Sequence, residues 1–387
     1  MVVLGLVLAV VPVLLLVYAY ALYPLLLYLT SSRKPLQLPT SDPTVWPTVT
    51  LVLPVHNEES AVAAALERLL ALDYPEDRRD ILVVSDASTD RTDEIVRSFS
   101  GRGVKLLRLA QRGGKTAAEN AAGANLQGEI AVNTDATTRI GPAAVKALVR
   151  VFQDPTIGVA SGRDVSVMGT STEGNRGESG YVRYEMWVRS LETRMGTIVG
   201  ASGCFYAIRR ELFDGLFPEA LSRDFASALI AVEHGLRAVS VEDAVCLVPR
   251  TRTLRSEYHR KVRTMARGLE TLWYKRGAMV GAARQRFAFM LLSHKFVRWL
   301  VFLVFPLSPI GLGILSFRWP AAGILLGLGL LGCSLGGLAF LYPTDRVVPR
   351  PLAMAGFLVG SLVAGFAAWM KALRGELNPI WEPTRRS

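Results

Sequence analysis

Hydrophobic and polar positions divide the chain into two regimes. Residues 2–29 are almost uninterrupted apolar sequence, and three further apolar runs follow at 300–317, 319–342 and 352–370. Each approaches or exceeds the roughly 20 residues that a helix needs to cross a bilayer. A cleaved signal peptide would have a basic leader and a shorter apolar core than 2–29 has. Arg33 and Lys34 follow at once, and the positive-inside rule then puts the next segment in the cytoplasm. Core helices are the alternative for the C-terminal runs, but GILLGLGLLG at 323–332 suits helix packing in a membrane. Three C-terminal spans would put the tail outside, whereas Lys371, Arg374, Arg385 and Arg386 favour the inside. One run is then interfacial or re-entrant.

Between these runs, short apolar stretches alternate with segments of helical period. Strands are predicted at 48–55, 80–84, 103–109, 129–133, 158–167 and within 200–208, with 237–241 leading into 246–248. Helices are predicted at 61–72, 91–99, 116–125, 181–197, 211–216 and 224–234. That alternation is the pattern of an α/β fold with a doubly wound, mostly parallel, Rossmann-like sheet. The stretch 34–47 is proline-rich and reads as a linker, and 169–180 as a polar, glycine-rich loop. The expected divisions are a span at 1–30, a linker at 31–47 and the α/β domain at 48–250. Basic interface helices at 251–299, membrane helices at 300–373 and a polar tail at 374–387 complete the chain.

Composition supports the membrane reading. The chain is 50% hydrophobic, with a mean hydropathy of +0.30 and a formal net charge of +11. Such a balance suits an anionic membrane surface or a phosphate-bearing substrate. From Arg250 to Arg276 basic residues crowd one segment, with Tyr258, Val262, Met265, Leu269, Leu272 and Trp273 between them at roughly helical spacing. This is a basic amphipathic helix fit for a membrane interface, a solvated basic face being the alternative. Cys204, Cys246 and Cys333 form no metal or redox spacing and argue against a disulfide scaffold.

The candidate chemistry sits at strand ends. Asp86 and Asp135 each end a predicted strand, Glu58 lies just after a third, and Lys115 follows Gly113-Gly114 before a helix. In open α/β sheets ligands bind outside the carboxyl ends of the strands. Carboxylates there can hold ribose hydroxyls and a divalent cation, and a lysine can neutralise phosphates. Asp86 or Ser88 could instead only cap the next helix. The glycine loop lacks the G-x-x-x-x-G-K-[ST] spacing of a P-loop, and no H-x-x-x-H pattern exists for a histidine metal site.

Taken in order, TLVLPVHNEE, VVSDASTD, RGGKTAAEN, NTDATT, GASGCFYAIRREL, SRDF and WEPTRR resemble membrane-bound family-two glycosyltransferases of the GT-A fold. The likeness is to the branch with cellulose and hyaluronan synthases and many bacterial polysaccharide enzymes. The resemblance implies that Pro54, Asn57 and Glu58 line a nucleotide pocket, Asp86 contacts uridine and Lys115 sits near the nucleotide. It implies that Asp135 opens a D-x-D motif holding Mg2+ or Mn2+ and the diphosphate. Ser202 and Gly203 would border the acceptor, Asp224 would be the general base and Arg260 would pair with the diphosphate. The implied partners are a UDP-sugar donor, a saccharide or lipid-linked acceptor and the bilayer of the cell membrane, without nucleic acid.

Three departures accompany the resemblance. The D-x-D motif reads Asp135-Ala136-Thr137, Arg223 replaces the acid often found before the base, and of the Q-x-x-R-W motif of processive polymerases only Arg260 is kept. Asp224 could also be only an N-cap. A nucleotidyltransferase, which should carry a Gly-rich signature near its first strand where PVHNEES has none, is one alternative. A non-catalytic protein with a degenerate transferase domain is the other.

Overall fold

The computed structural model describes residues 1–31, 37–167, 176–213, 216–249, 253–280, 284–342 and 348–376. Arg33 and Lys34, most of the 169–180 loop, Arg250 and Arg252, and the WEPTRR tail lie outside the described residues. An eight-stranded mixed sheet forms the centre. Its strands are β1 (Val49–Val55), β2 (Arg79–Ser85), β3 (Val104–Arg108), β4 (Ile130–Thr134), β5 (Arg139–Ile140), β6 (Ile157–Val167), β7 (Phe205–Arg209) and β8 (Arg237–Pro249). The order is β3-β2-β1-β4-β7-β6-β8-β5. β1 to β4 are parallel neighbours, while β7 runs antiparallel to both β4 and β6.

All seven residues of β1 are buried, because helices cover both faces and leave no polar side for alternation. One face packs on Val62, Leu66 and Leu69, Val96, and Val145 and Leu148. The other packs on Ala118 and Ala122, Phe213, and Ala228 and Ala231. Each fully buried leucine or valine contributes roughly 1.5–3 kcal/mol. Pro54 is tolerated inside a central strand because β1 pairs with β4 only as far as Val52↔Asn133, so no ladder bond is lost on that side.

Three strands differ from the sequence expectation, the first being the two-residue β5, too short to stand out as an apolar run. An apolar run carries no information about strand direction, so the reversal at β7 was not readable. β8 is continuous through Glu242 and Asp243, which are exposed, and so joins the expected 237–241 and 246–248 stretches into one strand.

Four helices are long and apolar enough to cross a membrane: Val2–Ser31, Gln285–Val304, Pro320–Leu341 and Arg350–Arg374. The expected 300–317 run is not one of them. Its helix starts at Gln285, so the division expected at 299/300 falls inside it, and it stops at Val304 before Pro306. Proline there cannot supply an amide hydrogen to a continuing helix. The ten-residue helix Leu307–Ser316 that follows is too short to span. It packs on the first helix through Gly311, where a Cβ would lie 2.4 Å from the Ala9 nitrogen and 2.7 Å from the Gly5 oxygen. Only glycine allows that backbone approach.

Candidate active site

The loops after β1 and β2 are locked together. Asn57 and Ala87 both have left-handed backbone, with φ of 52° and 51°. Thr89 N donates to Asn57 Oδ1 (2.7 Å), Asn57 N to Ser88 Oγ (3.2 Å), and Glu58 N to Thr92 Oγ1 (2.8 Å). Asp86 is buried, and its carboxylate accepts from Gly113 N at 2.7 Å and Gly114 N at 2.8 Å. It therefore shapes the glycine loop and does not cap the helix Thr92–Ser98. The first amide of that helix goes to Asp90 Oδ1 (3.0 Å) instead.

Gly114, with φ of 90°, turns the chain into the helix Lys115–Gly123. Lys115 Nζ then donates to Asp135 Oδ1 (2.5 Å), just past the end of β4, and to the Gly203 carbonyl (2.7 Å), just before β7. Burial alone would depress its pKa, but the carboxylates of Asp135, Glu119 and Asp224 outweigh that and hold it above the usual lysine range. The ammonium is charged at any working pH.

Asp224 lies in the first turn of the helix Arg223–Glu233, whose N-cap residue is Ser222. Its Oδ1 accepts from Ser222 Oγ at 2.6 Å. The capping alternative therefore does not describe Asp224. Its Oδ2 rests against Gly203, where a Cβ would lie only 2.4 Å away. Arg223 points elsewhere, buried with its guanidinium on Asn120 Oδ1 and the Phe213 carbonyl and 4.0 Å from the Phe213 ring centre.

These groups share one cavity of about 360 Å³. Glu58, Lys115, Asp135, Gly203, Asp224 and Arg260 all line it, whereas Pro54, Asn57, Asp86 and Ser202 do not. Ser202 sits behind the wall, its hydroxyl donating to Asp164 at 2.6 Å. The basic segment is the helix Leu254–Tyr274, started by a capping box of Thr253 and Ser256. Its Arg260 pairs with Glu257 (2.8 Å). Arg267 clasps Thr116 Oγ1 (2.8 Å) and the Ala220 and Leu221 carbonyls, tying the approach to Asp224 onto the Lys115 helix.

Several lining residues escaped the sequence reading. Glu119 lines the cavity four residues after Lys115, a helical spacing that could have flagged it. Glu185, Arg189 and Lys295 escaped it too; they line the wall formed with the helix Gln285–Val304, where Trp299, which its residue type marks as a candidate for stacking on sugar or for packing, also lies. Glu185 is bound by Arg298 (2.6 Å), His294 (3.1 Å) and Lys295 (3.1 Å). Burial pushes the Glu185 carboxyl up, but Lys295, His294 and Arg298 together hold it well below the usual range. Trp299 stands edge-on to Phe225 at 5.8 Å. No local motif announces these contacts, which form only when a membrane-length helix docks on the domain.

Among the described residues no three His, Cys, Asp or Glu side chains converge as a cation site. Asp135-Ala136-Thr137 supplies one carboxylate. Mg2+ commonly takes one or two carboxylates and completes its shell with substrate phosphates and water. Asp135 therefore fits a cation that arrives with a diphosphate.

Residues 50–217 match the profile of Glycosyl transferase family 2, and the chain carries a domain of that family there. The chain is 26% identical over 175 residues to the beta-monoglucosyldiacylglycerol synthase of Synechocystis sp., covering 44% of this chain and 36% of that one. It is 26% identical over 244 residues to an N-acetylglucosaminyltransferase of Rhizobium sp. (strain N33), covering 56% and 52%. The matches thus span about a third to a half of these relatives. A mannosyltransferase from Pyrobaculum calidifontis, solved with GDP-Man and Mn2+, has the same fold over 95% of this chain and 99% of that one, at a TM-score of 0.73 and 23% identity.

Proposed function

We propose that this chain, on the strength of its family-two domain, moves a sugar from a nucleotide sugar to a hydroxyl of a membrane-associated acceptor, with inversion. The carrying observation is the Asp224 carboxylate held over Gly203 in the same cavity as the Lys115–Asp135 pair. In a single displacement the acceptor oxygen bonds to the anomeric carbon while the bond from that carbon to the diphosphate oxygen breaks. The electron pair leaves with the diphosphate, and the acceptor proton goes to Asp224 as general base. Lys115 and Arg260 would set positive charge beside the negative charge that the departing diphosphate gains. Mg2+ or Mn2+, bound through Asp135, would supply further neutralisation of the diphosphate.

UDP remains the donor nucleotide in this reading, by the resemblance at Asp86. The acceptor is saccharide or lipid-linked. The Lys295 and Trp299 wall on a membrane-length helix favours a lipid-linked one, and the glycolipid synthase relative supports that reading. The domain would face the cytoplasm at the inner membrane.

The test uses full-length protein in lipid with UDP-glucose, UDP-N-acetylglucosamine and GDP-mannose, each with Mg2+ or Mn2+. Release of nucleoside diphosphate that requires Asp224 is the expected result. No turnover of any donor, in the presence of extracted membrane lipids, would overturn the reading.

A further inference from the structure

The helix Lys115–Gly123 presents Lys115 and Glu119 on one face, four residues apart. Such a pair ordinarily bonds to itself. Here Lys115 is turned to Asp135 and the Gly203 carbonyl, and Glu119 is left behind. Glu119 is 1% exposed, lines the cavity, and its Oε1 has no hydrogen-bond partner among the described residues. A buried polar atom without a partner is costly to the folded state and needs an explanation.

Among the described residues no neighbour completes it. Tyr206 on β7 is the register partner of Asn133 on β4, so both side chains point to one face of the sheet. That face lies under the same helix, since Tyr206 packs with Ala118 and Ala122. Yet the Tyr206 hydroxyl and both polar atoms of the Asn133 amide also lack partners among the described residues. Among the described residues, Glu119 borders open space at the cavity. Burial pushes its carboxyl up to about 7, with Lys115 opposing and Asp224 reinforcing the rise. It is thus able to accept a hydrogen bond when ionised or donate one when protonated.

We propose that Glu119 is a specificity-determining residue that hydrogen-bonds a hydroxyl of the transferred sugar. The proposal rests on the transferase reading above. It places the sugar between Glu119 and the Asp135 and Asp224 carboxylates, over the first turns of the Lys115 helix. A buried group built to bond a hydroxyl rejects the analogue that lacks it, because its own atom is then stranded.

The experiment compares wild type, Glu119→Leu and Glu119→Gln on the best donor of the panel and on its monodeoxy analogues. Wild type should discriminate against one deoxy position by about 10²-fold in kcat/KM, the upper end of the cost of stranding one buried polar atom. Glu119→Leu should lose about 10²-fold on the parent donor, transfer that one analogue as wild type does, and bind nucleoside diphosphate unchanged. Glu119→Gln, which keeps a carbonyl and the volume, should fall between and serves if the leucine variant does not fold. Equal losses on parent and every analogue, or no loss at all, would overturn the proposal while leaving the transferase reading standing. No turnover by wild type would overturn both.

Discussion

Gly203→Ala isolates the position of the Asp224 carboxylate from its chemistry. The backbone at 203 is outside the left-handed region, so alanine introduces no φ strain. The new methyl would meet Asp224 Oδ2 at 2.4 Å and Cγ at 3.4 Å. An ordinary contact requires the carboxylate to retreat by about 1 Å, breaking its alignment with Ser222 Oγ. A misplacement of that size costs about 10²-fold in rate, or ~2.7 kcal/mol of barrier. The assay is steady-state nucleoside diphosphate release, with donor affinity measured separately by calorimetry. We expect kcat to fall, with melting temperature and donor affinity nearly unchanged. A double variant with Asp224→Asn should be no slower than Asp224→Asn alone, since both act through one group. If the loop moves instead, Lys115 loses its hold on the Gly203 carbonyl and affinity falls while kcat survives. That outcome, or full additivity in the double variant, refutes the reasoning.

Four further outcomes follow from the same geometry. Asp224→Asn should fold, melt normally and bind donor, yet lose roughly 10²–10⁴-fold in transfer; near wild-type transfer would move the base to Asp164, Glu242 or Asp243. Asp135→Ala should weaken nucleoside diphosphate binding more with Mn2+ present than with chelator, as read by calorimetry; equal weakening in both would remove Asp135 from the cation's shell. Arg267→Met should lower both melting temperature and kcat, because it frees the Ala220–Leu221 carbonyls that position the Asp224 helix; a loss in only one would separate its two roles. For Glu119 the folded pKa of about 7 lies above the unfolded value of about 4.3. Its ionisation therefore removes stability as pH rises between those values. Glu119→Gln should melt above wild type at pH 8, with the gap narrowing towards pH 5, and a pH-independent gap would contradict the burial of that carboxyl.

The legible parts of the sequence were those whose signal is local. β1, β2 and β4 announced themselves as apolar runs ending in carboxylates, and Lys115 stood out behind two glycines. Asp135 and Asp224 were visible as motif positions, and both line the cavity. Asp86 was legible as important, but that its partners would be Gly113 N and Gly114 N depends on how the loop after β3 folds back. The rest was tertiary. Lys295 sits in an amphipathic stretch that names no partner, and only Pro306 and Pro309 mark the place where the 300–317 run breaks. The spacing of Glu119 from Lys115 places both on one helix face, but that this face is buried rather than a surface ion pair is set by the tertiary fold.

The helix Gln285–Val304 has a consequence for what counts as the enzyme. It is long and apolar enough to lie in a bilayer, yet its Lys295 and Trp299 form a wall of the cavity, and its His294, Lys295 and Arg298 hold Glu185 into that same wall. A fragment ending at Pro249 would retain all eight strands and still lack one side of the reaction chamber. The boundary between soluble catalyst and hydrophobic anchor, natural to draw along the sequence, does not exist in space. Any change that shifts this helix against the sheet therefore reshapes the chamber itself.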